Sequence, residues 1–352
     1  MKEAAKMIKA AVVGATGYAG IELTRILSGH PEIQIQTLVS KSFAGQNLKD
    51  IYPNYASIGN YVLEDLDVSK IQSTCDISFL ALPHGQSIEV APQLIQSGLK
   101  VIDLSGDFRY DDPEVYEQWY HIHHTQVELL QKAVYGLCEL YEPQIAKASI
   151  VANPGCYTTC SILPVYPLLK DHLVKGENII IDAKSGTTGA GRSEKLGFSF
   201  CEVNESFKAY GVSTHRHTSE IEQELSKANG APLQLIFTPH LLPVQRGILA
   251  TIYLDIMPGV DANQVAQCYE KAYGAKPFTH VLPHGKLPEL KFVVGSNNCF
   301  IGYQLDARMN KLIVVSCIDN LVKGAAGQAV QNCNLMFGMD QTMGLDNLGW
   351  YL

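Results

Sequence analysis

Cys156 closes the run Val151-Ala152-Asn153-Pro154-Gly155-Cys156. A short apolar stretch from Ser149 to Ala152 ends there in a Pro-Gly turn, which delivers the thiol to the start of a helix. Amide N–H groups and the dipole at a helix N-terminus favour a thiolate, so this cysteine is the best nucleophile candidate in the chain. The competing reading is a packed core cysteine. Cys138, Cys160, Cys201 and Cys317 lie in or beside apolar segments and read as packing residues. A cysteine nucleophile needs a proton acceptor, and His215-Arg216-His217 offers one just before a helix read over Thr218 to Leu225. Loop histidines without chemistry are the alternative. Two arginines suit an anionic substrate: Arg109, which follows Asp107-Phe108, and Arg246 beside Gly247. Each could instead form a structural ion pair, Arg109 with Asp107 being one example. Lys184 to Arg192 is a polar, glycine-rich run whose amides and hydroxyls suit a carboxylate or phosphate, without the spacing of a P-loop.

The elements that must position these groups begin at Ile8 to Val13, an apolar strand followed by Gly14-Ala15-Thr16-Gly17-Tyr18-Ala19-Gly20 and then by helical apolar spacing from Ile21 to Leu27. Strand, glycine turn and helix form the context of a dinucleotide fingerprint. Gly14 makes the tight turn, Gly17 lets backbone approach the pyrophosphate, and Gly20 permits close helix-to-sheet contact. The next strand, Ile33 to Val39, ends in Ser40-Lys41-Ser42 and not in an acid. Hydroxyls and a lysine tolerate a 2′-phosphate that a carboxylate would repel, so the reading favours NADP(H) over NAD. Further strands at Ile77 to Leu82 and Val101 to Leu104, with helical material from Ser87 to Ile95, extend an open parallel sheet. Pro83-His84-Gly85 follows one strand end, where ligands of such sheets gather, and could line the crevice beside the nicotinamide; the competing reading of His84 is a loop histidine with only a structural role. His121, His123 and His124 cluster without a completing ligand spacing and read as a loop or pocket rim, so no metal is expected.

Beyond Cys156 the pattern changes. Ser161 to Leu169 reads as a short helix interrupted by prolines. Strands are expected at Ile179 to Ala183, Leu233 to Phe237, Ile248 to Ile256, Lys291 to Val294, Phe300 to Leu305 and Leu312 to Ile318. The fold class is therefore α/β: a Rossmann-type parallel sheet domain plus an α+β catalytic domain with a mixed sheet. Near the end, Asp319-Asn320 precedes a helix over about Ala325 to Met336, and Asn320 is placed to reach the nicotinamide carboxamide or to cap locally.

Composition bounds what these motifs can serve. A chain of 352 residues with 46% hydrophobic and 18% charged residues reads as two globular domains. The formal charge of -8, with no basic stripe, argues against a nucleic-acid partner. No run approaches a membrane span, and nine cysteines without a CxxC pair fit a reducing compartment, so the cytoplasm is expected.

Taken in order, Gly14 to Gly20, Ala81 to Gly85, Val151 to Tyr157, Lys184 to Arg192, His215 to Thr218 and Asp319 to Asn332 resemble the N-acetyl-gamma-glutamyl-phosphate reductases of arginine biosynthesis over nearly the full chain. The resemblance implies a semialdehyde dehydrogenase-like fold. An NADP-binding Rossmann domain would span 1–155 and be completed by 320–352, with a catalytic and oligomerisation domain over 156–319. It implies Cys156 as nucleophile and His215, ahead of His217, as acid/base. It also implies cofactor contacts from Gly14, Thr16, Gly17, Tyr18, Ala19, Gly20, Ser40, Lys41, Pro83, His84, Ser185, Gly186 and Asn320, and substrate contacts from Arg109, Asn153, His217 and Arg246. The implied substrate is an acyl phosphate, released as aldehyde and phosphate, and the implied assembly is a homodimer or homotetramer. Thr158 and Cys160 depart from the family pattern, which has Pro or Ala and a small residue there. Reductases of aminoadipyl or aspartyl phosphates are the nearest alternatives, and a non-catalytic NADP-responsive binding protein is the alternative from another class.

Overall fold

The computed structural model describes residues 7–192, 194 and 196–351. The chain falls into two compact units, one running to Pro154 and resuming over Ala325–Asp346, the other comprising Gly155–Gly324 and the segment from Asn347.

The first unit is built on a six-stranded parallel sheet. Its strands are β1 (Ile8–Val13), β2 (Ile33–Val39), β3 (Ile77–Leu80), β4 (Lys100–Asp103), β5 (Val134–Tyr135) and β6 (Ile150–Ala152), in the order β2-β1-β3-β4-β6-β5. Strand order reverses beside β1, the switch point at which such sheets place ligands. Helices α1 (Tyr18–Ser28), α2 (Leu48–Ile51), α3 (Val68–Thr74), α4 (Ser87–Gln96), α5 (Pro113–Tyr120), α6 (Val127–Lys132) and α7 (Cys138–Ile145) connect the strands. The central strands are apolar on both faces because helices cover both: Val13, Leu80, Val101 and Ile150 share one buried cluster with Leu94 of α4.

The second unit opens with α8 (Cys156–Lys170), a continuous helix of 15 residues where the sequence suggested an interruption at its prolines. Pro167 has no N–H to offer the carbonyl of Leu163, and the Tyr273 hydroxyl donates to that carbonyl instead, at 2.6 Å. The Tyr269 hydroxyl likewise donates to Pro164 O at 2.7 Å. Both tyrosines lie on a helix that the sequence reading missed. There follow β7 (Ile179–Ser185), α9 (Phe200–Val203), β8 (Lys208–Ala209), α10 (His217–Asn229), β9 (Leu235–Leu241), β10 (Ile248–Asp255), α11 (Ala262–Tyr273), β11 (Thr279–Val281), β12 (Cys299–Asp306) and β13 (Lys311–Ile318). They form a mixed sheet of order β11-β12-β13-β10-β7-β9-β8. The strand expected at Lys291 to Val294 is instead a 3-10 turn over Leu290–Phe292. Between Pro288 and Gly295, whose φ is +85°, the amides of Phe292, Val293 and Val294 bond back to Glu289 and Leu290 and not to a neighbouring strand.

Helices α8, α10 and α11 pack against one face of this sheet. On the other face Ile236, Ile180, Tyr253 and Ile313 stand in register across four strands, the first three exposed. The chain then returns to the first unit through a π turn at Val322–Ala326 and helix α12 (Gly327–Met336), which packs on α1 and α7.

Candidate active site

Cys156 is the first residue of α8, with Gly155 at its N-cap and no side chain capping that end. Cys156 is half-buried, whereas Gly155 and Tyr157 on either side are buried. The first-turn geometry that the Pro-Gly sequence implied is therefore present.

Two observations show how tightly the second unit encloses this residue. A Cβ on Gly155 would lie 2.5 Å from His217 Nε2, so the imidazole rests directly on the residue before the nucleophile candidate. A Cβ on Gly324 would lie 2.7 Å from Cys156 Cβ, so that backbone packs against the cysteine itself.

His217 opens α10, and His215 stands one ring further away, its centroid 4.8 Å from that of His217. His215 Nδ1 accepts the His217 N–H at 3.2 Å, and its ring is enclosed by Tyr157, Tyr210 and Phe237. Burial, followed by the Arg216 charge, pushes the His215 imidazole down to about 4. It is a neutral base at ordinary pH. The Tyr210 hydroxyl donates to Tyr157 Oη at 3.1 Å, and burial holds both phenols protonated.

Glu220 was missed in the sequence. Three residues after His217 on one helix face, it is fully buried. Its Oε1 accepts the Gly155 N–H at 3.0 Å and lies 3.0 Å from the Thr158 hydroxyl. Thr158 also reaches Gly155 O at 2.6 Å, so its hydroxyl ties down the first turn of α8. Cys160, the other departure, is buried against Ser316.

Arg246 pairs with the buried Asp319, Nε to Oδ2 at 3.0 Å. Asn320 accepts the Gly247 N–H at 2.7 Å and donates to Thr188 at 2.9 Å. Gly186 packs so closely on Gln245 O that a Cβ would sit 2.6 Å away, and Ser185 bonds to Gly186 O. These residues share one wall, in which Asn320 links the 185–188 loop to the Arg246-Gly247 turn.

In the first unit, Arg109 is buried and donates to the carbonyls of Asn153 (2.8 Å) and Leu104 (3.0 Å). The Asp107 carboxylate faces Gly85, Ser87 and Tyr116. Both ends of the Asn153 side-chain amide are engaged, with Ala325 O and with Asn332. Of the three clustered histidines, His121 adopts a left-handed helix cap, His123 pairs with Glu117, and His124 is buried with Nε2 2.8 Å from Asp107 O. Among the described residues no three or more His, Cys, Asp or Glu are grouped to hold a metal ion.

The glycine turn meets its test in contacts. Gly14 has φ +91°, and a Cβ there would strike Ala81 O at 2.2 Å; one on Gly20 would strike Gly14 O at 2.1 Å. Gly17 differs, since its Cβ would meet only Gly14 O at 3.6 Å. Protein packing demands the first and third glycines, whereas the space above the second suits a ligand approaching the uncapped start of α1. Tyr18 and Ala19 supply the amides of that first turn. The Thr16 and Ser40 hydroxyls bond at 2.7 Å, holding the turn to the end of β2, and Lys41 beyond them is exposed. Pro83 and His84 stand at the end of β3.

Comparison with known proteins places this architecture. Residues 9–148 match the semialdehyde dehydrogenase NAD binding domain and residues 156–320 the semialdehyde dehydrogenase dimerisation domain. Aspartate semialdehyde dehydrogenase II of Vibrio cholerae shares the fold at a TM-score of 0.73 and 18% identity, over 95% of this chain and 99% of that one. The enzyme from Candida albicans does so at 0.71 and 17%, over 94% and 99%. The chain thus has the semialdehyde dehydrogenase fold, with a nicotinamide-dinucleotide-binding domain. It is 49% identical to N-acetyl-gamma-glutamyl-phosphate reductase of Acetivibrio thermocellus over 98% of this chain and 100% of that protein. It is 51% identical to the protein of that name from Alkaliphilus metalliredigens over 97% and 99%. The chain belongs to the N-acetyl-gamma-glutamyl-phosphate reductase family.

Proposed function

We propose that the chain reduces N-acetyl-L-glutamyl 5-phosphate to N-acetyl-L-glutamate 5-semialdehyde and phosphate, a step of arginine biosynthesis, with NADPH as reductant. The observation that carries this reading is the placement of Cys156 at the N-terminus of a 15-residue helix with an imidazole resting on the preceding glycine.

Cys156 Sγ attacks the acyl carbonyl. The C–S bond forms, the C–O bond to phosphate breaks, and phosphate leaves a thioester on the enzyme. Amides of the first turn of α8 stabilise the oxyanion of the tetrahedral intermediate. Bound NADPH supplies the hydride that takes the thioester to the aldehyde level. His215 takes the thiol proton and returns it as the aldehyde is released and the thiol restored. A second reading, favoured by contact with Gly155, gives the proton to His217 and leaves His215 to orient it. Arg246, fixed by Asp319, and Arg109, fixed by backbone carbonyls, serve the phosphate and the substrate carboxylate, with Asn153 holding the turn before the cysteine.

In this reading the dinucleotide contacts are Gly14, Thr16, Gly17, Tyr18, Ala19 and Gly20, Pro83 and His84 at the strand ends, and Ser185, Gly186 and Asn320. Ser40 and Lys41 favour the 2′-phosphate of NADP because no acid ends β2. The apolar row across Ile236, Ile180 and Tyr253 is the surface that a second copy covers, which gives a homodimer or a tetramer built from dimers. No described helix is long and apolar enough to cross a membrane. None of the nine cysteines is disulfide-bonded among the described residues, which supports a cytoplasmic location.

NADPH oxidation is measured with N-acetyl-L-glutamyl phosphate, aspartyl phosphate and an aminoadipyl phosphate, in wild type and C156A. The expected result is rapid turnover on the acetylglutamyl substrate, abolished in C156A. Preference for another acyl group would overturn the substrate assignment, and NADPH binding without turnover on any of the three would leave a binding protein. Histidine variants H215A and H217A separate the two acid/base readings by which one loses more kcat.

A further inference from the structure

Between β3 and α4, residues 81–86 cross the end of the parallel sheet and border the glycine turn directly, since Gly14 packs against Ala81 O and Ala81 N–H donates to Val13 O at 2.8 Å. This segment has no cap of its own. Gln86 precedes α4 without a side-chain hydrogen bond to the helix, and Gly85 has φ +88°. The Gly85 amide is satisfied from elsewhere. The Asp107 carboxylate accepts the Gly85 N–H at 2.8 and 2.9 Å, the Ser87 N–H at 3.1 Å and the Tyr116 hydroxyl at 2.9 Å. Asp107 is fully buried. One residue earlier, Gly106 N–H donates to His84 Nδ1 at 2.9 Å, which puts the imidazole proton on Nε2. The 105–107 turn therefore grips the 84–87 segment at two points.

We propose that Asp107 is a positioning residue for the dinucleotide site, its carboxylate fixing the Pro83-His84-Gly85 turn at the edge of the cofactor groove. The inference rests on the reading above that Pro83 and His84 border the cofactor. A carboxylate suits the task because an ionised acceptor takes three donors that a neutral amide cannot satisfy. The neighbouring Asp103 does not compete for it, since Ser87 Oγ and Ser105 occupy that carboxyl at 2.6 to 3.0 Å. Burial, followed by the charge of Asp107, pushes Asp103 up to about 6.

The test titrates NADPH fluorescence in wild type, D107N, Y116F and G85A. The side-chain amide of D107N would turn an N–H toward donors, and binding should weaken about tenfold, with the KM for NADPH rising in step and kcat falling less. Gly85→Ala displaces the same turn without touching the carboxylate, because its Cβ would stand 3.1 Å from Ile122 Cδ1 at a positive φ, and should weaken NADPH comparably. Tyr116→Phe removes the donor on the far side and should lower stability while leaving the Kd within about twofold. The ¹⁵N shifts of His84 should report Nε2–H in wild type and a tautomer mixture in D107N. An unchanged Kd in D107N, or in G85A if D107N does not fold, overturns the proposal. Failure of wild type to bind NADPH would instead sink the cofactor reading on which it stands.

Discussion

Replacing Gly324 by alanine perturbs the candidate nucleophile through one contact. The added Cβ would fall 2.7 Å from Cys156 Cβ, 3.1 Å from its Cα and 3.3 Å from Asp319 O. Carbon atoms meet comfortably at about 3.7 Å, so the two backbones must part by about 1 Å. Gly324 sits in the π turn at ordinary φ, which leaves no conformational penalty for alanine to confuse the result. Overpacking of this size costs about 1–3 kcal/mol of stability. A displacement of about 1 Å at a reacting group costs on the order of a hundredfold in rate. The assay is kcat/KM for acyl-phosphate reduction, with the iodoacetamide inactivation rate as a direct readout of the thiol and thermal denaturation alongside. Gly29→Ala, where the Cβ would meet only Ile26 O at 3.8 Å, is the control for an innocuous substitution. Activity of G324A within threefold of wild type would refute the argument that backbone packing fixes the cysteine.

The second and third glycines of the dinucleotide turn should separate. Gly20→Ala drives a Cβ to 2.1 Å from Gly14 O and should lose at least about 1–3 kcal/mol in urea denaturation, whereas Gly17→Ala should keep its stability and lose NADPH affinity by fluorescence titration. Asp103 is raised from 3.8 to about 6 in the folded protein, so the stability linked to its proton is fully present below pH 3.8 and is lost as pH rises through about 6. Relative to D103N, wild type should therefore weaken by up to about 3 kcal/mol between pH 4 and 7, and parallel urea curves across that range would contradict this. His215 is lowered from 6.5 to about 4, so any stability it contributes is lost as pH falls from 6.5 toward 4. Its NMR resonance should not titrate above pH 5, and a midpoint near 6.5 would show a solvated ring.

The glycine turn, Cys156 before a helix and the paired histidines were legible because each depends on local chemistry: positive φ, a Pro-Gly turn, an apolar period that changes from strand to helix. α11 carried a readable signal as well, since Asp261 and Gln264 form a capping box ahead of Val265 and Cys268, but that pattern was passed over. The continuity of α8 was not legible. Pro167 is tolerated because Tyr273, about a hundred residues away, donates to the Leu163 carbonyl that the proline leaves unpaired.

The sequence by itself determined which residue types were available for chemistry and the two periodicities that make a parallel and a mixed sheet, because backbone conformation and side-chain alternation are set over a few residues. Tertiary structure alone decided what those residues face. Arg246 reads equally as an anion clamp or a structural ion-pair partner until β13 brings Asp319 within 3.0 Å of it. Asp107 reads as a partner for Arg109 until the fold turns its carboxylate to the amides of Gly85 and Ser87. Glu220 carries no signal beyond its spacing from His217, yet packing of α10 on α8 places its buried carboxylate on the N–H of Gly155. Electrostatic and hydrogen-bond roles depend on distances of about 3 Å between segments remote in sequence, and only the folded chain sets those distances.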